Sequence, residues 1–170
     1  MSGFIGYVGN KPCKQILHDG LAQLEFQEHD SAGFVCIDSA HNHFSFRKET
    51  GGSSPIAHLF EGVKFDGFVG MGHIRWATRG GIDQRNTHPH FNCNKTIAVI
   101  HNGVIEDYEE IRQELIDKKH DFSSLTDTEV TAHLLNDLLE EYKDLHLTFV
   151  ELCKRLRGAY ALAFLLEQNL

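Results

Sequence analysis

The sequence predicts an α+β fold in which antiparallel sheets pack against layers of helices. Short apolar runs with the character of strands dominate the chain up to Gly103, and amphipathic helical periodicity dominates the part after it. A last apolar run, from Ala159 to Leu166, returns the chain to a strand. Strands and helices that are segregated along the sequence, rather than alternating, are typical of α+β domains with antiparallel pairing. The 170 residues are enough for one domain with its own core.

Local periodicity and turn residues justify each element. Cys13, Leu17 and Leu21 recur at helical spacing, whereas the run 34–37 is continuously apolar and the run 43–47 alternates. A turn-rich segment between these two runs predicts a hairpin. The predicted strands cover 3–8, 34–37, 43–47, 67–74, 96–101 and 159–166, and the predicted helices cover 13–24, 55–60, 108–116, 130–139 and 149–156.

Composition excludes several functional classes. The formal net charge of −8 argues against a nucleic-acid or anionic-membrane partner, because both require a basic face. No apolar run approaches the length of a membrane span, and the N-terminus lacks the features of a signal peptide. The cysteines are widely spaced, which favours free thiols in a reducing cytoplasm over disulfides or a zinc site. We therefore expect a cytoplasmic protein that uses neither a metal nor a cofactor.

The N-terminus carries the first candidate for catalysis. A small hydroxyl residue, Ser2, follows the initiator Met1, and such a residue permits removal of the methionine. The α-amine exposed by that removal has an unperturbed pKa of ~7.7–8.0, so it can act as general base for the hydroxyl of the same residue. A plain Met-Ser start before a strand is the alternative interpretation.

The segment 75–95 is long for a loop and rich in polar residues, which favours a functional role. Arg75-Trp76 is either part of a site or a stacking pair on the surface. His88 and His90 have the spacing of a metal pair on a strand. However, Pro89 lies between them, and no Cys or carboxylate cluster is near in sequence.

Two segments in the second half of the chain also hold candidate residues. His101-Asn102-Gly103 stands where a buried strand is predicted to end, and Asn-Gly is also a common turn dipeptide. Thr126-x-x-Glu129 has the pattern of a capping box before an apolar helix, which explains both residues and leaves Asp127 to point elsewhere.

Taken together, these candidates suit a single substrate. The amide of Asn102 and the backbone N–H of Gly103 can form an oxyanion hole for acyl transfer. Arg75 can hold a carboxylate with its planar fork, and Asp127 can pair with an ammonium group. Glutamine carries an α-carboxylate, an α-ammonium group and a side-chain acyl carbon, and it therefore fits all three features.

The chain resembles the glutaminase domains of the glutamine–fructose-6-phosphate amidotransferase family. The matching blocks occur in order along the whole chain, and their joint occurrence is highly specific. The purine-synthesis amidotransferases share the His-Asn-Gly block but resemble Arg-Tyr-Ser-Thr where this chain has Arg-Trp-Ala-Thr. The blocks are Phe4-Ile5-Gly6-Tyr7-Val8-Gly9, Leu24-Glu25, Asp30-Ser31-Ala32-Gly33, Arg75-Trp76-Ala77-Thr78, Asn86-x-His88-Pro89-His90, His101-Asn102-Gly103, Thr126-Asp127-Thr128-Glu129 and Leu156-Arg157-Gly158-Ala159-Tyr160.

The resemblance implies an N-terminal-nucleophile hydrolase fold, a four-layer α/β/β/α sandwich of antiparallel sheets. It implies that position 2 attacks the amide of L-glutamine and that Asn102 and Gly103 stabilise the oxyanion. The ammonia released would pass to a sugar-phosphate isomerase domain that is absent from this chain. The resemblance also implies the positions that surround the substrate, which are Arg75, Trp76, Thr78, Arg79, His88 and Asp127.

The chain departs from the family pattern around the expected site. The family has Cys where this chain has Ser2, and a hydroxyl depends on its base more than a thiol does. Gln27 replaces an arginine and Glu28 a glycine in the block before Asp30, and Arg79 replaces a histidine. Three interpretations therefore stay open: a glutaminase fragment with a natural or engineered Ser2, a relative that binds glutamine or a partner without turnover, and a serine N-terminal hydrolase of another amide.

The C-terminal end predicts an unfinished sheet. The whole chain, residues 1–170, corresponds to a glutaminase domain that lacks its last strands, since the family continues beyond this point. The run Ala159 to Leu166 is apolar at nearly every position, as in a strand buried on both faces. We expect an open apolar sheet edge here, and hence self-association such as a homodimer.

Overall fold

A computed structural model describes residues 2–25, 29–51, 54–76 and 81–167 of the chain. Every strand and helix predicted from the sequence is present, most of them with shifted ends. The strands are β1 (Gly3–Val8), β2 (Ser31–Ile37), β3 (Phe44–Thr50), β4 (Val69–Arg75), β5 (His90–Phe91), β6 (Ile97–Ile105) and β7 (Gly158–Leu166). The helices are α1 (Cys13–Leu24), α2 (Pro55–Leu59), α3 (Tyr108–Asp117), α4 (Glu129–Tyr142) and α5 (Leu145–Arg155), with one 3₁₀ turn at Gln84–Asn86.

The described strands form two antiparallel sheets. The first has the order β1-β4-β2-β3 and the second has the order β5-β6-β7. Both hairpin strands predicted in the first third of the chain, β2 and β3, pair in register over their full length. The predicted α+β class with antiparallel pairing is confirmed.

Three apolar clusters show how the layers stack. Helices α1 and α2 cover the outer face of the first sheet through residues such as Leu17, Leu21 and Leu59, and α3 to α5 cover the second sheet. The third cluster, which includes Val35, Met71 and Ile100, lies between the two sheets. These are the four layers of an α/β/β/α sandwich, as the resemblance implied. Within the described ranges, no helix has both the length and the hydrophobicity that a membrane span requires.

Strand β6 corrects the prediction that a strand ends at Gly103. The strand continues to Ile105, because β7 pairs with it along its whole length, with Asn102 opposite Ala161 and Gly103 opposite Tyr160. Gly103 has a φ of +126°, and a Cβ there would lie 2.1 Å from the carbonyl oxygen of Ala159. Only glycine fits this backbone conformation at this distance from the neighbouring strand. The Asn-Gly pair therefore lies within the sheet and not in a turn.

The two C-terminal elements differ from prediction in their burial. The periodicity of the predicted helix 149–156 places Cys153 on its apolar face, but in α5 the buried residues are Thr148 and Leu152, and Cys153 is exposed. In β7 only Leu165 is buried, although we predicted a fully buried strand. Among the described residues β7 pairs with β6 alone, so that its other edge has no neighbour to cover it. Self-association through this edge stays a prediction.

Four buried histidines occupy the polar end of the layer between the sheets. His73, His88, His90 and His101 are each at most 5% exposed. The ring centroids of His73 and His88 are 4.1 Å apart, and those of His88 and His90 are 4.7 Å apart. In each ring one nitrogen has no hydrogen-bond partner among the described residues. Burial lowers the pKa of His73 to about 4, and burial together with the neighbouring cationic groups lowers the pKa of His88 and of His90 well below the usual value.

We predict that the free energy of unfolding falls as the pH decreases from about 7 to about 5. In the unfolded chain these histidines titrate near ~6.5, whereas in the folded chain they remain neutral to lower pH, so the unfolded state binds more protons in this window. The contribution of each histidine to the free energy of unfolding is fully present above the pKa of the unfolded chain. Below that pKa the free energy of unfolding falls by as much as about 1.4 kcal/mol per pH unit for each histidine. Urea unfolding at several pH values measures the slope.

A pair of variants separates the buried histidines from the exposed ones. His90→Gln removes one buried titrating ring and should make the decrease less steep, whereas His146→Gln, on the exposed part of α5, should leave the slope unchanged. A free energy of unfolding that is constant between about pH 7 and pH 5 would contradict the neutral state of the cluster.

Candidate active site

Pairing of the first sheet places Ser2 beside the end of β4. Gly3 lies opposite Ile74 in the antiparallel ladder, so the residue before β1 lies next to the residues after β4. The hydroxyl oxygen of Ser2 accepts a hydrogen bond from the backbone N–H of Trp76 at 2.9 Å, and it lies 3.5 Å from the carbonyl oxygen of the same residue. The Ser2 hydroxyl is thus held by the backbone of Trp76.

Asn102 reaches Ser2 from the second sheet. Its side-chain Nδ2 donates to the carbonyl oxygen of Ser2 at 3.3 Å, while its Oδ1 lies 2.9 Å from Nε2 of His73. The same Nε2 is 3.0 Å from the carbonyl oxygen of His101. Because both of these neighbours are acceptors, they require the proton of the neutral His73 ring on Nε2. This bond fixes the orientation of the Asn102 amide, with its NH₂ group toward Ser2.

A cavity of about 270 Å³ opens beside Ser2 and Asn102. Residues from both sheets and from the segment just before α4 form its walls. This volume is slightly below the ~300 Å³ at which pockets for drug-sized ligands begin, so the cavity suits a smaller molecule. The lining residues are Ser2, Arg75, Trp76, His88, His101, Asn102, Gly103, Val104, Thr126, Asp127 and Thr128.

Arg75 supplies positive charge to one wall of the cavity. Its side chain is 4% exposed, its Nη1 donates to the carbonyl oxygen of Gly81 at 2.9 Å, and Nη1 lies 3.7 Å from Oδ1 of Asp30. Burial lowers the pKa of the guanidinium, and the charges of Asp30 and Asp127 oppose that shift. A guanidinium keeps its charge in proteins, so this wall is cationic at neutral pH.

Asp127 supplies negative charge to the same cavity. It is 6% exposed, and its Oδ2 accepts the backbone N–H of Ile105 at 2.9 Å. Its Oδ1 accepts no hydrogen bond from the residues that the structure describes. Arg75 and Asp127 thus present opposite charges within one small cavity, an arrangement that suits a zwitterion.

The segment before α4 corrects the capping-box prediction. No side chain caps the first turn of α4, and the hydroxyl of Thr126 instead contacts Nε2 of His90 at 3.1 Å. Glu129 reaches back to accept the backbone N–H groups of Ser123 and Ser124 at 2.8 and 2.7 Å. Burial raises the pKa of Glu129, but the nearby His133 ring and the hydrogen bonds from Ser124 and Ser123 outweigh that effect and lower the pKa below its usual range.

The structure brings together most of the positions predicted for the site. Seven of them line the one cavity, whereas Thr78 and Arg79 lie outside the described residues, as do the changed positions Gln27 and Glu28. The seven are Ser2, Arg75, Trp76, His88, Asn102, Gly103 and Asp127.

Sequence reasoning gave no role to two residues that organise this cavity. Thr128 places its hydroxyl 3.0 Å from Nε2 of His88 and 2.9 Å from Nδ1 of His101, and His73 orients Asn102. The sequence signal for His73 is a polar residue within an otherwise buried strand. The signal for Thr128 is a polar residue next to the start of a buried helix. Nε2 of His88 is thus bonded to Thr128 and Nε2 of His90 to Thr126, whereas Nδ1 of both rings has no hydrogen-bond partner among the described residues.

The amino-acid sequence of the chain matches a known domain family and a named relative. The family described as "Glutamine amidotransferase domain" matches residues 73–169. The chain is 39% identical over 170 residues to a protein of Methanococcus maripaludis named glutamine–fructose-6-phosphate aminotransferase [isomerizing]. That alignment covers 97% of the chain and 28% of the relative. The chain therefore spans less than a third of the length of this curated relative.

Solved structures show the same fold. The chain matches the glutamine phosphoribosylpyrophosphate amidotransferase of B. subtilis with a TM-score of 0.77 and 27% identity, over 98% of the chain and 35% of that protein. It matches a structure described as the allosteric regulatory enzyme of purine biosynthesis with a TM-score of 0.81 and 28% identity, over 98% of the chain and 36% of that protein. With more than half of its residues inside the matched family region, this chain belongs to the glutamine amidotransferase domain family.

Proposed function

We propose that the chain binds L-glutamine in this cavity, as the glutamine-hydrolysing domain of a longer glutamine–fructose-6-phosphate aminotransferase. The observation that carries the proposal is the convergence of four groups on one small cavity. Two are opposite charges, on Arg75 and Asp127, and two are the amide of Asn102 and the hydroxyl of Ser2. Family membership and the named relative support the same substrate.

Each group has a role that follows from its chemistry. The Arg75 guanidinium binds the α-carboxylate, and Asp127 pairs with the α-ammonium group through the oxygen that Ile105 does not occupy. The side-chain amide then reaches the Ser2 end of the cavity. There its carbonyl oxygen accepts from Nδ2 of Asn102 and from the N–H of Gly103, the donors of an oxyanion hole.

Hydrolysis at this site takes place in two steps. The nucleophile at position 2 attacks the side-chain carbonyl carbon, and the C–N bond then breaks to release ammonia and leave a glutamyl ester on Ser2. Water hydrolyses that ester to glutamate and restores the hydroxyl. Removal of Met1 exposes the α-amine that would act as the base, in the manner of N-terminal nucleophiles. In the longer protein, the ammonia passes to a sugar-phosphate isomerase domain.

Ser2 favours binding over turnover in this chain. A neutral hydroxyl has almost no anionic fraction at neutral pH, whereas a cysteine retains a few per cent of thiolate and is intrinsically more nucleophilic. The Ser2 hydroxyl is also held by the backbone of Trp76, at 2.9 Å from its N–H. A protein that binds glutamine with little or no turnover is therefore the second candidate function, and it shares the same cavity.

We predict that the chain binds glutamine but releases ammonia at a rate far below the usual enzyme range of ~1–1,000 per second. Ser2→Cys should raise the rate without reaching that range, because Gln27 and Arg79 also depart from the family pattern. Ammonia release is measured on chains whose mature N-terminus is checked by mass spectrometry, with Ser2→Ala as the blank. A parent rate within the enzyme range would contradict the account, as would full activity from Ser2→Cys alone.

We predict that Asp127→Asn weakens glutamine binding by about 1.5–3 kcal/mol, the usual contribution of a hydrogen bond to a charged group. The substitution conserves shape and keeps an oxygen for the N–H of Ile105, so the loss reports the charge. Calorimetry compares it with Asp117→Asn on α3, an exposed carboxylate remote from the cavity. Equal binding by the parent and Asp127→Asn would remove Asp127 from the substrate site.

A further inference from the structure

Three side chains outside the active site converge on one point. Cys93 lies in the turn between β5 and β6, His120 lies in the connection from α3 to α4, and His133 lies on α4. The Sγ of Cys93 is 3.7 Å from Nδ1 of His120 and 3.6 Å from Nδ1 of His133, and the two Nδ1 atoms are 3.1 Å apart. The three atoms form a small triangle of one sulfur and two nitrogens.

The triangle has the dimensions of three of the four positions of a tetrahedral coordination site. Zn²⁺ binds sulfur at ~2.3 Å and imidazole nitrogen at ~2.0–2.1 Å, so tetrahedral ligands lie roughly 3.3 Å apart for two nitrogens and roughly 3.6 Å apart for nitrogen and sulfur. The observed separations of 3.1, 3.6 and 3.7 Å agree with these values to within about 0.2 Å. The spacing of the three atoms therefore allows all of them to contact one ion.

A carboxylate favours the ligand form of His120. Nε2 of His120 lies 2.7 Å from Oδ1 of Asp137, which holds the proton on Nε2 and leaves the lone pair on Nδ1, directed into the triangle. Metal-binding histidines commonly donate their outer N–H to a carboxylate in this way. Nε2 of His133 has no hydrogen-bond partner among the described residues and lies 3.8 Å from Oε1 of Glu129, and a proton on this nitrogen likewise leaves the lone pair of Nδ1 toward the triangle. Two lone pairs that face each other need a cation or a shared proton between them.

We propose that Cys93, His120 and His133 form a binding site for Zn²⁺, with a fourth coordination position open to solvent. One thiolate and two imidazoles suit zinc, whereas magnesium and calcium prefer oxygen ligands. Cys93 is exposed, so the ion has access to the site, while His133 anchors it with a side chain 1% exposed. The wide sequence spacing of the cysteines gave no sign of this site, because its ligands come from three separate elements.

An ion here would join three elements next to the glutamine cavity. Glu129, which faces His133, also holds the backbone of Ser123 and Ser124, and this segment leads directly to Asp127. Zinc would thus fix the connection from α3 to α4 against the turn that carries Cys93. The site lies outside the residues that line the cavity, so its role is to stabilise and not to react with glutamine.

Calorimetric titration of the reduced, chelator-treated 170-residue chain with ZnCl₂ tests the proposal. We expect one ion per chain, and loss of that binding in both Cys93→Ser and His120→Gln. The matched controls Cys153→Ser and His146→Gln change an exposed thiol and an exposed imidazole elsewhere, and they should bind as the parent does. Absence of binding by the parent would overturn the proposal, as would binding that survives Cys93→Ser.

Two further measurements keep the test independent of folding defects. Zn²⁺ should raise the melting temperature of the parent but not that of Cys93→Ser, and Co²⁺ should give a thiolate-to-metal charge-transfer band only when Cys93 is present. Asp137→Asn should weaken binding by about 10–100-fold through loss of the carboxylate behind His120. Glu141→Gln on the exposed side of α4 is its control. Equal weakening by both variants would show adventitious surface binding and overturn the site.

Discussion

The hydrogen bond from His73 to Asn102 is the interaction on which the rest of the site depends. Nε2 of His73, on the first sheet, lies 2.9 Å from Oδ1 of Asn102, on the second sheet. The same nitrogen also lies within hydrogen-bond distance of the carbonyl oxygen of His101. The bond connects the two sheets at the point where their apolar interface ends, and it orients the Asn102 amide toward Ser2. Without it, the donor group of Asn102 would have no fixed direction, and the N-terminal residue would lose its partner on the opposite sheet.

This arrangement requires neutral histidines. Burial keeps the pKa of His73 near 4, so at neutral pH the ring donates from Nε2 and carries no charge beside Arg75. The hydroxyl of Thr126 forms a hydrogen bond with His90, and that of Thr128 forms hydrogen bonds with His88 and His101. A hydroxyl suits these rings because it can either donate or accept a hydrogen bond. These rings are therefore held without an ion pair of their own, and among the residues that the structure describes Arg75 and Asp127 bring opposite charges to the cavity wall.

Local sequence pattern predicted most helices and strands correctly, and it failed where pairing or packing with distant segments decides the structure. Helix α1 and the β2–β3 hairpin follow from spacing and turn residues that lie within a few positions of each other. The Asn-Gly pair was predicted to end a strand, but pairing with β7, far along the chain, overrides the local turn preference. The grouping of Cys93, His120 and His133 depends on how a turn, a connection and a helix pack, and no spacing rule encodes that packing.

A crystal structure of the chain with L-glutamine would show whether the cavity binds the substrate in the proposed orientation. Ser2 makes the experiment practical, since slow chemistry leaves the substrate intact. We expect the α-carboxylate at Arg75 and the α-ammonium group at Asp127. The amide oxygen should lie within hydrogen-bond distance of Nδ2 of Asn102, while Oδ1 of Asn102 still accepts from His73. An empty cavity at saturating glutamine, or an amide directed away from Asn102, would contradict this expectation.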